Sequence, residues 1–352
     1  MLRLLLLAAL LVAPSAAFAR EAPQIFDRPL IIAHRGASGE RPEHTLAAYE
    51  LAIDQGADFI EPDLVATKDG VLVARHENEI SGTTDIADHP EFAGRKASKL
   101  IDGQELTGWF TEDFTLAELK TLRARERLPQ LRPENAAWDG EFAVPTLEEI
   151  LALVKRKEGE TGRRIGLYPE LKHPGYFAAQ GIALDDLLLT QLAAAGYGDE
   201  SDPIFIQCFE VGTLARLSQK TELRLVQLVA ADGAPADLPA VPYASLATPA
   251  GLAGVARYAD GIGADIRLIL QGDGSATSLV ADAGDAGLVV HAWTLRRENA
   301  FMPDPLKSND NPRGLGGLPP LMGLLVEAGV DGIFTDHPGA AVILRESGDY
   351  QP

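Results

Sequence analysis

Cysteine is almost absent from this sequence, since Cys208 is the single one in 352 residues. One cysteine cannot form an intramolecular disulfide, so the folded chain has to be stabilised by its hydrophobic core. A solitary cysteine can act as a nucleophile, but Cys208 ends the apolar run 203–208, where a buried thiol is the expected state. The sequence therefore predicts neither a disulfide scaffold nor cysteine chemistry.

Positive charge is also scarce. Lys and Arg total 31 against 51 Asp and Glu, which gives a formal net charge of −20. Binding to a nucleic-acid backbone depends on cationic side chains that displace counterions, and an anionic lipid surface repels a chain of the same sign. The composition therefore predicts no nucleic-acid partner.

Long apolar runs are confined to the first residues. Arg3 precedes the apolar run 4–12, and Ala17-Phe18-Ala19 fits the small-x-small rule for signal peptide cleavage. The run is too short to span a bilayer, and no cysteine follows it to carry a lipid. We therefore expect residues 1–19 to be a signal peptide and the remainder to be a soluble periplasmic protein without stable membrane insertion.

No G-x-G-x-x-G follows a candidate strand, which argues against a dinucleotide-binding sheet. Short β-branched runs instead alternate with amphipathic stretches, a pattern typical of a parallel sheet with crossover helices. The candidate strands are 30–33, 58–65, 164–171, 203–208, 223–229, 260–263, 287–293 and 330–335. The candidate helices are 43–55, 115–122, 146–157, 184–195, 210–220, 252–260, 278–286 and 318–328. Eight strands in one pass predict an α/β fold, a (β/α)8 TIM barrel over residues 30–345.

Two stretches interrupt this alternation. Residues 80–145 hold one weak helical stretch and much irregular polar sequence, which is too long for an unstructured loop in a compact domain. We expect a small subdomain there, inserted after the second strand and capping one end of the barrel. Residues 296–317 follow the seventh strand and are expected over the same end, and their role as a lid is left open.

Acidic residues stand at the ends of two candidate strands. Side chains two positions apart on a strand share a face, so Glu61 and Asp63 point the same way, and so do Glu170 and Lys172. At the mouth of a barrel, converging carboxylates raise one another's pKa unless a cation compensates them. All-oxygen ligands favour Ca²⁺ or Mg²⁺ over zinc. The alternative is a structural cluster in which the first two carboxylates pair with Arg35 and Lys172.

Two histidines are expected near this cluster. His34 ends the first candidate strand beside Arg35, and His76 follows a short apolar run. Imidazole titrates near neutral pH, so the pair suits a reaction that needs both an acid and a base. With Arg35 and Lys172 available to hold an anion, the predicted chemistry is cleavage of a phosphate ester.

The other histidines carry weaker predictions. His44, in the first turn of a helix, is expected to pack or to make a hydrogen bond at the helix N-terminus. His89 and His337 each precede a proline and are expected in surface turns. His173 and His291 are close enough to the predicted mouth to contribute to the site, although a structural role is commoner for a lone histidine.

The ordered motifs resemble those of the glycerophosphodiester phosphodiesterase family, most closely its periplasmic bacterial branch, from residue 31 to about 338. The matching motifs are His34-Arg35-Gly36, Pro42-Glu43-His44-Thr45, Glu61-Pro62-Asp63, Thr67-Lys68-Asp69-Gly70, Tyr168 to Lys172, Gln207-Cys208-Phe209 and Phe334-Thr335-Asp336. Each motif alone is weak, whereas the ordered set is specific.

The resemblance implies hydrolysis of small-molecule glycerophosphodiesters to glycerol 3-phosphate and an alcohol, on a barrel with an insertion after the second strand. By position it implies Ca²⁺, with Mg²⁺ as the alternative, held by Glu61, Asp63 and Glu170. It implies His34 and His76 as the catalytic acid–base pair. The substrate-binding residues that it implies are Arg35, Lys172, Gln207, Phe209 and Trp293.

One departure and two rival functions stay open. Glu77 stands where the family usually has Asp after the second histidine, which puts the orientation of His76 in doubt. One rival is headgroup cleavage of the phospholipase D or sphingomyelinase D type on the same barrel, which the length of segment 80–145 and the Tyr168-Pro169-Glu170 motif disfavour. The other is a non-catalytic envelope binding protein, which the retained carboxylates and histidines disfavour. A homodimer is compatible with the sequence.

Overall fold

The computed structural model describes residues 28–351, so the predicted signal peptide at residues 1–19 lies outside the described residues. Within the described part, 11 strands form one curled sheet and two more form a separate hairpin. The strands are β1 (Leu30–His34), β2 (Phe59–Glu61), β3 (Asp63–Ala66), β4 (Leu72–Ala74), β5 (Ala97–Ile101), β6 (Gln104–Gly108), β7 (Gly166–Leu167), β8 (Glu170–Leu171), β9 (Phe205–Cys208), β10 (Arg224–Val229), β11 (Gly261–Asp265), β12 (Val289–Leu295) and β13 (Gly332–Thr335).

Helices separate most of the strands of the curled sheet, which confirms the predicted α/β class. The α-helices are α1 (Leu46–Asp54), α2 (Leu116–Leu119), α3 (Pro133–Ala136), α4 (Leu147–Thr161), α5 (Pro174–Ala179), α6 (Leu184–Ala194), α7 (Val211–Leu217), α8 (Tyr243–Leu246), α9 (Pro249–Val255), α10 (Ile266–Ile269), α11 (Leu279–Asp285), α12 (Leu318–Glu327) and α13 (Pro338–Ser347). Short 3-10 helices span Ile86–Asp88, Pro90–Arg95, Thr111–Asp113, Asn299–Phe301 and Asp304–Leu306. Among residues 28–351, no helix is both long and apolar enough to cross a membrane.

The curled sheet is parallel apart from β4, which runs antiparallel to β3. The first strand, β1, pairs with β2 on one side and with the last strand, β13, on the other. The ladder continues in parallel from β8 through β9, β10, β11 and β12 to β13. Because parallel strands all end at the same edge of a sheet, the residues that follow their carboxyl ends meet there.

Two strands predicted as continuous are each divided in two. Residues 58–65 form β2 and β3 on either side of Pro62, and residues 164–171 form β7 and β8 on either side of Tyr168-Pro169. Proline has no N–H to give to a ladder, which explains both breaks. The register continues across them, because Glu170 N donates to Pro62 O at 2.9 Å.

The strands bury side chains on both faces. Ile31 and Ala33 of β1 belong to the main core, in which helices pack on the sheet. Leu30 and Ile32 point the other way, into a smaller cluster that also contains Phe59, Tyr168, Phe205, Val226 and Phe334. One step further along the inward face stand polar residues, His34 on β1 and Glu61 on β2. The apolar cluster is therefore the floor beneath the polar site.

Threonines cap three of the helices that the sequence predicts. Thr45, Thr115 and Thr146 accept hydrogen bonds from backbone N–H groups of the first turn of α1, α2 and α4. These helices begin close to the expected residues 43, 115 and 146. The sequence analysis missed α5 and α13, which both begin at a proline, although proline is favoured at the first position of a helix.

Segment 80–145 has its own secondary structure. It contains the β5–β6 hairpin, the short helices α2 and α3 and three of the 3-10 helices. Its folding as a separate subdomain stays a prediction, and the role of residues 296–317 as a lid stays open. Cys208 is buried in β9, where its thiol contacts Leu171 O at 3.4 Å and burial raises its pKa, in agreement with an inert cysteine.

Candidate active site

Three buried carboxylates meet where β2 ends and where β3 and β8 begin side by side. One carboxylate oxygen from each of Glu61, Asp63 and Glu170 lies within 4.8 Å of the other two. Asp63 pairs with Glu170 in the parallel register of β3 and β8, which explains why residues about 107 positions apart face each other. The predicted acidic cluster is thus assembled by strand pairing.

The charges around this cluster do not balance. Asp63 lies 3.3 Å from Nε of Arg35, and Glu170 lies 3.0 Å from Nζ of Lys172. Within residues 28–351, no Lys, Arg or His nitrogen forms an ion pair with Glu61, which accepts hydrogen bonds from the Arg35 backbone N–H and from Gln207 Nε2. Burial, with Asp63 and Glu170 nearby, raises the pKa of Glu61 well above its usual range. Burial and Asp63 raise the pKa of Glu170 to about 8, against the opposing effect of Lys172.

Arg35 directs its guanidinium into the acidic cluster from a left-handed backbone conformation with φ of 61°. Its Nη1 lies 3.2 Å from Glu43, which also accepts from Nε of Arg127 at 2.8 Å. Although burial works against the charge, Glu43 and Asp63 raise the pKa of Arg35 above its usual value. Among the described residues, Nη2 of Arg35 has no hydrogen-bond partner. The guanidinium therefore stays charged at the site.

His34 is held by a buried carboxylate. Its Nδ1 lies 2.6 Å from Oδ1 of Asp336, and its Nε2 accepts a hydrogen bond from Nε of Arg35 at 3.1 Å. Because a guanidinium only donates, Nε2 carries a lone pair and the ring proton lies on Nδ1, against Asp336. Burial, with Arg35 beside it, lowers the pKa of His34 to about 4 despite the nearby carboxylate. His34 is therefore neutral at pH 7.

Asp336 is itself anchored by two arginines. Its Oδ2 accepts from Nη2 of Arg132 at 2.6 Å and from Nε of Arg296 at 2.8 Å. Arg132 also donates to Glu298 at 2.6 Å and to Ser38 O at 3.1 Å. These contacts hold the pKa of Asp336 well below its usual range in spite of burial. The carboxylate behind His34 is therefore rigid and charged.

His76 also has a carboxylate at Nδ1, at 3.0 Å from Oε1 of Glu77. The other oxygen of Glu77 lies 2.7 Å from Nε2 of His173, and Nδ1 of His173 lies 2.6 Å from Asp102. Desolvation, reinforced by Arg35 and Lys172, lowers the pKa of His76 to about 3, although 28% of its side chain is exposed. The longer side chain of Glu77 thus still reaches the imidazole that the family-type Asp was expected to orient.

Two of the predicted substrate-binding residues, Phe209 and Trp293, lie on the Lys172 side of the cluster. Nζ of Lys172 lies 5.8 Å from the ring centre of Phe209, which meets the Trp293 ring edge-on at 5.9 Å. Trp293 is fixed by a hydrogen bond from Nε1 to Gly263 O at 2.8 Å. A cavity of about 320 Å³ opens here, lined in part by Glu170, Lys172, Phe209 and Tyr243. It is large enough for a small alcohol.

Three other histidines have structural surroundings. Nε2 of His44 lies 2.8 Å from Asp63 and Nδ1 lies 2.7 Å from the Tyr49 hydroxyl, so this buried ring orients a carboxylate of the cluster. His89 contacts Glu91 between two 3-10 helices. His291 does not reach the mouth: its Nδ1 lies 2.6 Å from the Tyr168 hydroxyl, and its ring packs against Phe205 in the apolar floor.

The expectation that His337 lies in a surface turn is wrong. Its side chain is 1% exposed, and neither ring nitrogen has a hydrogen-bond partner among residues 28–351. Pro338 starts α13 at this point, and the ring packs directly beneath the backbone of Gly39. A proline after histidine thus marked a helix start instead of an exposed turn.

A model of the Glycerophosphoryl diester phosphodiesterase family matches residues 34–340 of this chain. The chain belongs to this family. The matched region begins at His34 and includes every predicted metal, acid–base and pocket residue. The family resemblance of the ordered motifs is thereby confirmed, while the periplasmic branch stays a prediction.

Relatives and solved structures agree with this membership. A glycerophosphodiester phosphodiesterase of Arabidopsis thaliana is 36% identical over 338 residues, which cover 92% of this chain and 87% of the relative. A glycerophosphodiester phosphodiesterase of Haemophilus influenzae is 30% identical, covering 89% of this chain and 88% of the relative. The structure of a putative glycerophosphoryl diester phosphodiesterase from Silicibacter pomeroyi has a TM-score of 0.64 at 23% identity, covering 92% of this chain and 95% of that one.

A phosphodiesterase from Oleispira antarctica, solved in complex with the product sn-glycerol-3-phosphate, has a TM-score of 0.57 at 22% identity. The match covers 90% of this chain and 96% of the Oleispira antarctica chain. Together with the Silicibacter pomeroyi structure, it shows that this chain shares the TIM-barrel-like fold of the family's known structures.

Several groups around the site were missed by sequence reasoning. Asp336 and Glu43 stand in motifs that we recognised, so a role beside His34 and Arg35 was within reach. Arg132 and Asp102 lie in segment 80–145, whose irregular pattern carried no signal for them. Their partners Asp336 and His173 are 204 and 71 positions away, and only the fold brings them together.

Proposed function

We propose that this chain hydrolyses glycerophosphodiesters to glycerol 3-phosphate and a free alcohol. The observation that carries the proposal is that two imidazoles, each with a carboxylate at Nδ1, lie at one buried acidic cluster together with Arg35 and Lys172. Acids, bases and anion-binding cations in one place suit phosphodiester cleavage. The names of the relatives, and the product held by the Oleispira antarctica structure, support the same reaction.

A divalent cation fits the donor set. Three buried carboxylates offer oxygens within 4.8 Å of one another, and Glu61 has no ion-pair partner among the described residues. Oxygen donors favour Ca²⁺ or Mg²⁺, and cation binding would relieve the repulsion that raises the pKa of Glu61 and Glu170. Held by Glu61, Asp63 and Glu170, such an ion would neutralise charge on a phosphodiester oxygen.

The chain's own residues supply binding and proton transfer. Arg35 and Lys172 bind the non-bridging phosphate oxygens, with Nη2 of Arg35 available for this contact. One of His34 and His76 takes the proton of the glycerol 2-hydroxyl as its oxygen attacks phosphorus. The other imidazole, which must first take up a proton at Nε2, gives that proton to the departing alcohol as the bond between the alcohol oxygen and phosphorus breaks. This attack leaves a cyclic phosphate, which water then opens. In that second step the two imidazoles exchange their roles as acid and base.

The cavity beside Phe209 is proposed to hold the alcohol that leaves. It is lined by both Glu170 of the acidic cluster and Lys172, so an ester bound to Lys172 extends into it. Phe209 and Tyr243 give it apolar walls, and Trp293 packs against Phe209. Gln207 stays beneath the phosphate through its contact with Glu61.

Architecture and location complete the proposal. The pairing of β1 with both β2 and β13 supports a (β/α)8 barrel over residues 30–345, with 80–145 as an insertion. We further propose cleavage of a signal peptide at residues 1–19 and residence in the periplasm. N-terminal sequencing of the protein recovered from the periplasmic fraction tests this, and size-exclusion chromatography of the same sample tests a homodimer.

Alcohol release from glycerophosphocholine by the purified chain tests the function. We expect activity that is lost with EDTA and restored by Ca²⁺. His34→Ala and His76→Ala should each lower turnover by about 10²–10⁴-fold, whereas His89→Ala, outside the site, should not. Near-normal turnover in both site variants would refute the acid–base assignment.

The rival functions give other outcomes in the same assay. Choline release from lysophosphatidylcholine alone would point to lipid headgroup cleavage. Binding of glycerophosphocholine without any release would point to a binding protein.

A further inference from the structure

The carboxylate behind His76 is part of a longer series of close contacts between imidazoles and carboxylates. From the site outward, Nδ1 of His76 lies 3.0 Å from Glu77, Glu77 lies 2.7 Å from Nε2 of His173, and Nδ1 of His173 lies 2.6 Å from Asp102. These four residues come from three separate parts of the chain. We call them the Asp102–His76 chain.

His173 is charged in this arrangement. Both ring nitrogens face carboxylates, and both can donate only if the ring is protonated. Although burial and the neighbouring Lys172 oppose the charge, the hydrogen bonds to Asp102 and Glu77 raise the pKa of His173 to about 9. Although burial opposes it, the contacts with His173 and His76 hold the pKa of Glu77 well below its usual range. Glu77 is therefore an anion held between two imidazoles.

Asp102 reaches His173 from the tip of the β5–β6 hairpin. Ile101 pairs with Gln104, so Asp102 and Gly103 form a two-residue turn. Both have positive φ, 47° and 82°, as an Asp-Gly hairpin turn of this type requires. His173 also has a left-handed backbone, with φ of 51°, directly before Pro174. Two residues in conformations that L side chains rarely adopt thus meet at this contact.

The two candidate catalytic histidines are held in parallel ways. His34 has Asp336 at Nδ1, and the other oxygen of Asp336 is held by Arg132 and Arg296. His76 has Glu77 at Nδ1, and among the described residues the other oxygen of Glu77 is held by His173 alone. The side chain of Glu77 is 37% exposed, against 2% for Asp336. The orientation of Glu77 therefore depends more on its one contact with His173.

We propose that His173 and Asp102 are positioning residues for His76, acting through Glu77. His173 holds the carboxylate in place, and Asp102 holds His173 charged and in its rotamer. Without them, the exposed Glu77 turns towards solvent and Nδ1 of His76 loses its partner. Neither residue contacts the phosphate group, although both line the cavity proposed for the leaving alcohol. The inference rests on the proposed function insofar as His76 transfers a proton.

Turnover of glycerophosphocholine by single and double variants tests the proposal. We expect His173→Ala to lower kcat by about 10-fold or more with KM changed less than about threefold, because orientation of the acid–base group is lost while the phosphate contacts of Arg35 and Lys172 remain. Asp102→Asn should lower kcat less. Since Asp102 acts through His173, the double variant should be no slower than His173→Ala, which separates positioning from two independent losses.

Controls separate positioning from damage to the fold. His173→Gln keeps an N–H donor towards Glu77 and should recover part of kcat. His89→Ala removes a histidine from a histidine–carboxylate contact outside the site and should leave kcat unchanged. Normal kcat in folded His173→Ala, or additive losses in the double variant, would overturn the proposal.

A readout without turnover keeps this proposal apart from the proposed function. The ¹⁵N shifts of the His76 ring report which nitrogen carries the proton. In the wild type we expect the proton on Nδ1, and in His173→Ala a mixture of both tautomers. An unchanged tautomer would overturn the positioning role even in a protein that turns over no glycerophosphocholine, whereas wild-type inactivity alone would overturn only the proposed function.

Discussion

Nδ1 of His34 lies 2.6 Å from Oδ1 of Asp336, although 302 residues separate them in the sequence. The contact exists because β1 and β13, the first and last strands of the described chain, are neighbours, with Ala33 opposite Thr335. Each residue directly follows its paired position, so both side chains project from the same edge of the sheet. Closure of the sheet between its first and last strands thus completes the surroundings of the candidate acid–base group.

Replacement of Asp336 should affect both stability and turnover. Asp336→Asn leaves Arg132 and Arg296 with a neutral partner in a buried place, and we expect a loss of about 3–5 kcal/mol in the free energy of unfolding. It also removes the charge behind His34, so kcat for glycerophosphocholine should fall by about 10²-fold. Urea unfolding and steady-state kinetics measure the two effects. Asp304→Asn, at an exposed ion pair with Lys307, is the matched control and should change neither.

Removal of one carboxylate from the acidic cluster should abolish a stabilisation that depends on Ca²⁺. A cation that binds only the folded chain raises its melting temperature in proportion to the logarithm of concentration over Kd. We expect Ca²⁺ to raise the Tm of the wild type after EDTA treatment and to have no such effect on Glu170→Gln. The variant itself should melt no lower than the wild type in EDTA, because it relieves repulsion. An equal Tm rise in the two proteins would contradict the site.

The charge on His173 predicts a specific pH dependence of stability. Its pKa is raised from 6.5 to about 9 in the folded chain, so its contribution is fully present below about pH 6.5 and is lost as the pH rises through 9. The Tm difference between the wild type and His173→Gln should therefore be largest near pH 6 and small near pH 9.5. Thermal melts at these values measure it. A difference that stays constant across the range would show that packing, and not charge, explains the contribution.

Gly39 tests the tight packing over His337. A Cβ at Gly39 would lie 2.2 Å from Nε2 of the buried His337 ring, whereas a Cβ at Gly82 would meet nothing within 4 Å. Gly39→Ala should therefore lower the free energy of unfolding by about 1–3 kcal/mol through overpacking, and Gly82→Ala should leave it nearly unchanged. Denaturant unfolding of the two variants measures both free energies of unfolding. Equal stability of the two variants would mean that the His337 ring moves aside freely.

The residues of the acidic cluster could be predicted from the sequence because strand geometry is local. Glu61 and Asp63 are two positions apart, and the side chains of a strand alternate between faces. The same rule placed Glu170 with Lys172. The rule failed for His291, because alternation predicts the face of the sheet on which a side chain lies but not how far below the mouth it lies. The side chain of His291 points inward as expected, yet it lies one layer below the mouth, against Tyr168.

Prolines divided the strands that sequence patterns predicted as continuous, and they concealed two helices. Pro62 and Pro169 interrupt β-branched runs without changing the register. The predicted faces are therefore correct, whereas the strands are shorter than predicted. Pro174 and Pro338 begin α5 and α13, each directly after a histidine. His173 and His337 were therefore placed by helix starts that propensity alone did not reveal.

The sequence by itself determined the α/β class, the carboxylates and histidines of the site and the family, because alternation on strands and ordered short motifs are properties of neighbouring residues. Only the tertiary structure decided which carboxylate lies behind His34 and which cations hold the carboxylates behind His34 and His76. Asp336 with Arg132, and Asp102 with His173, are pairs whose members lie 71 positions or more apart. Such contacts depend on which strands and hairpins become neighbours, and no periodicity within a segment records that.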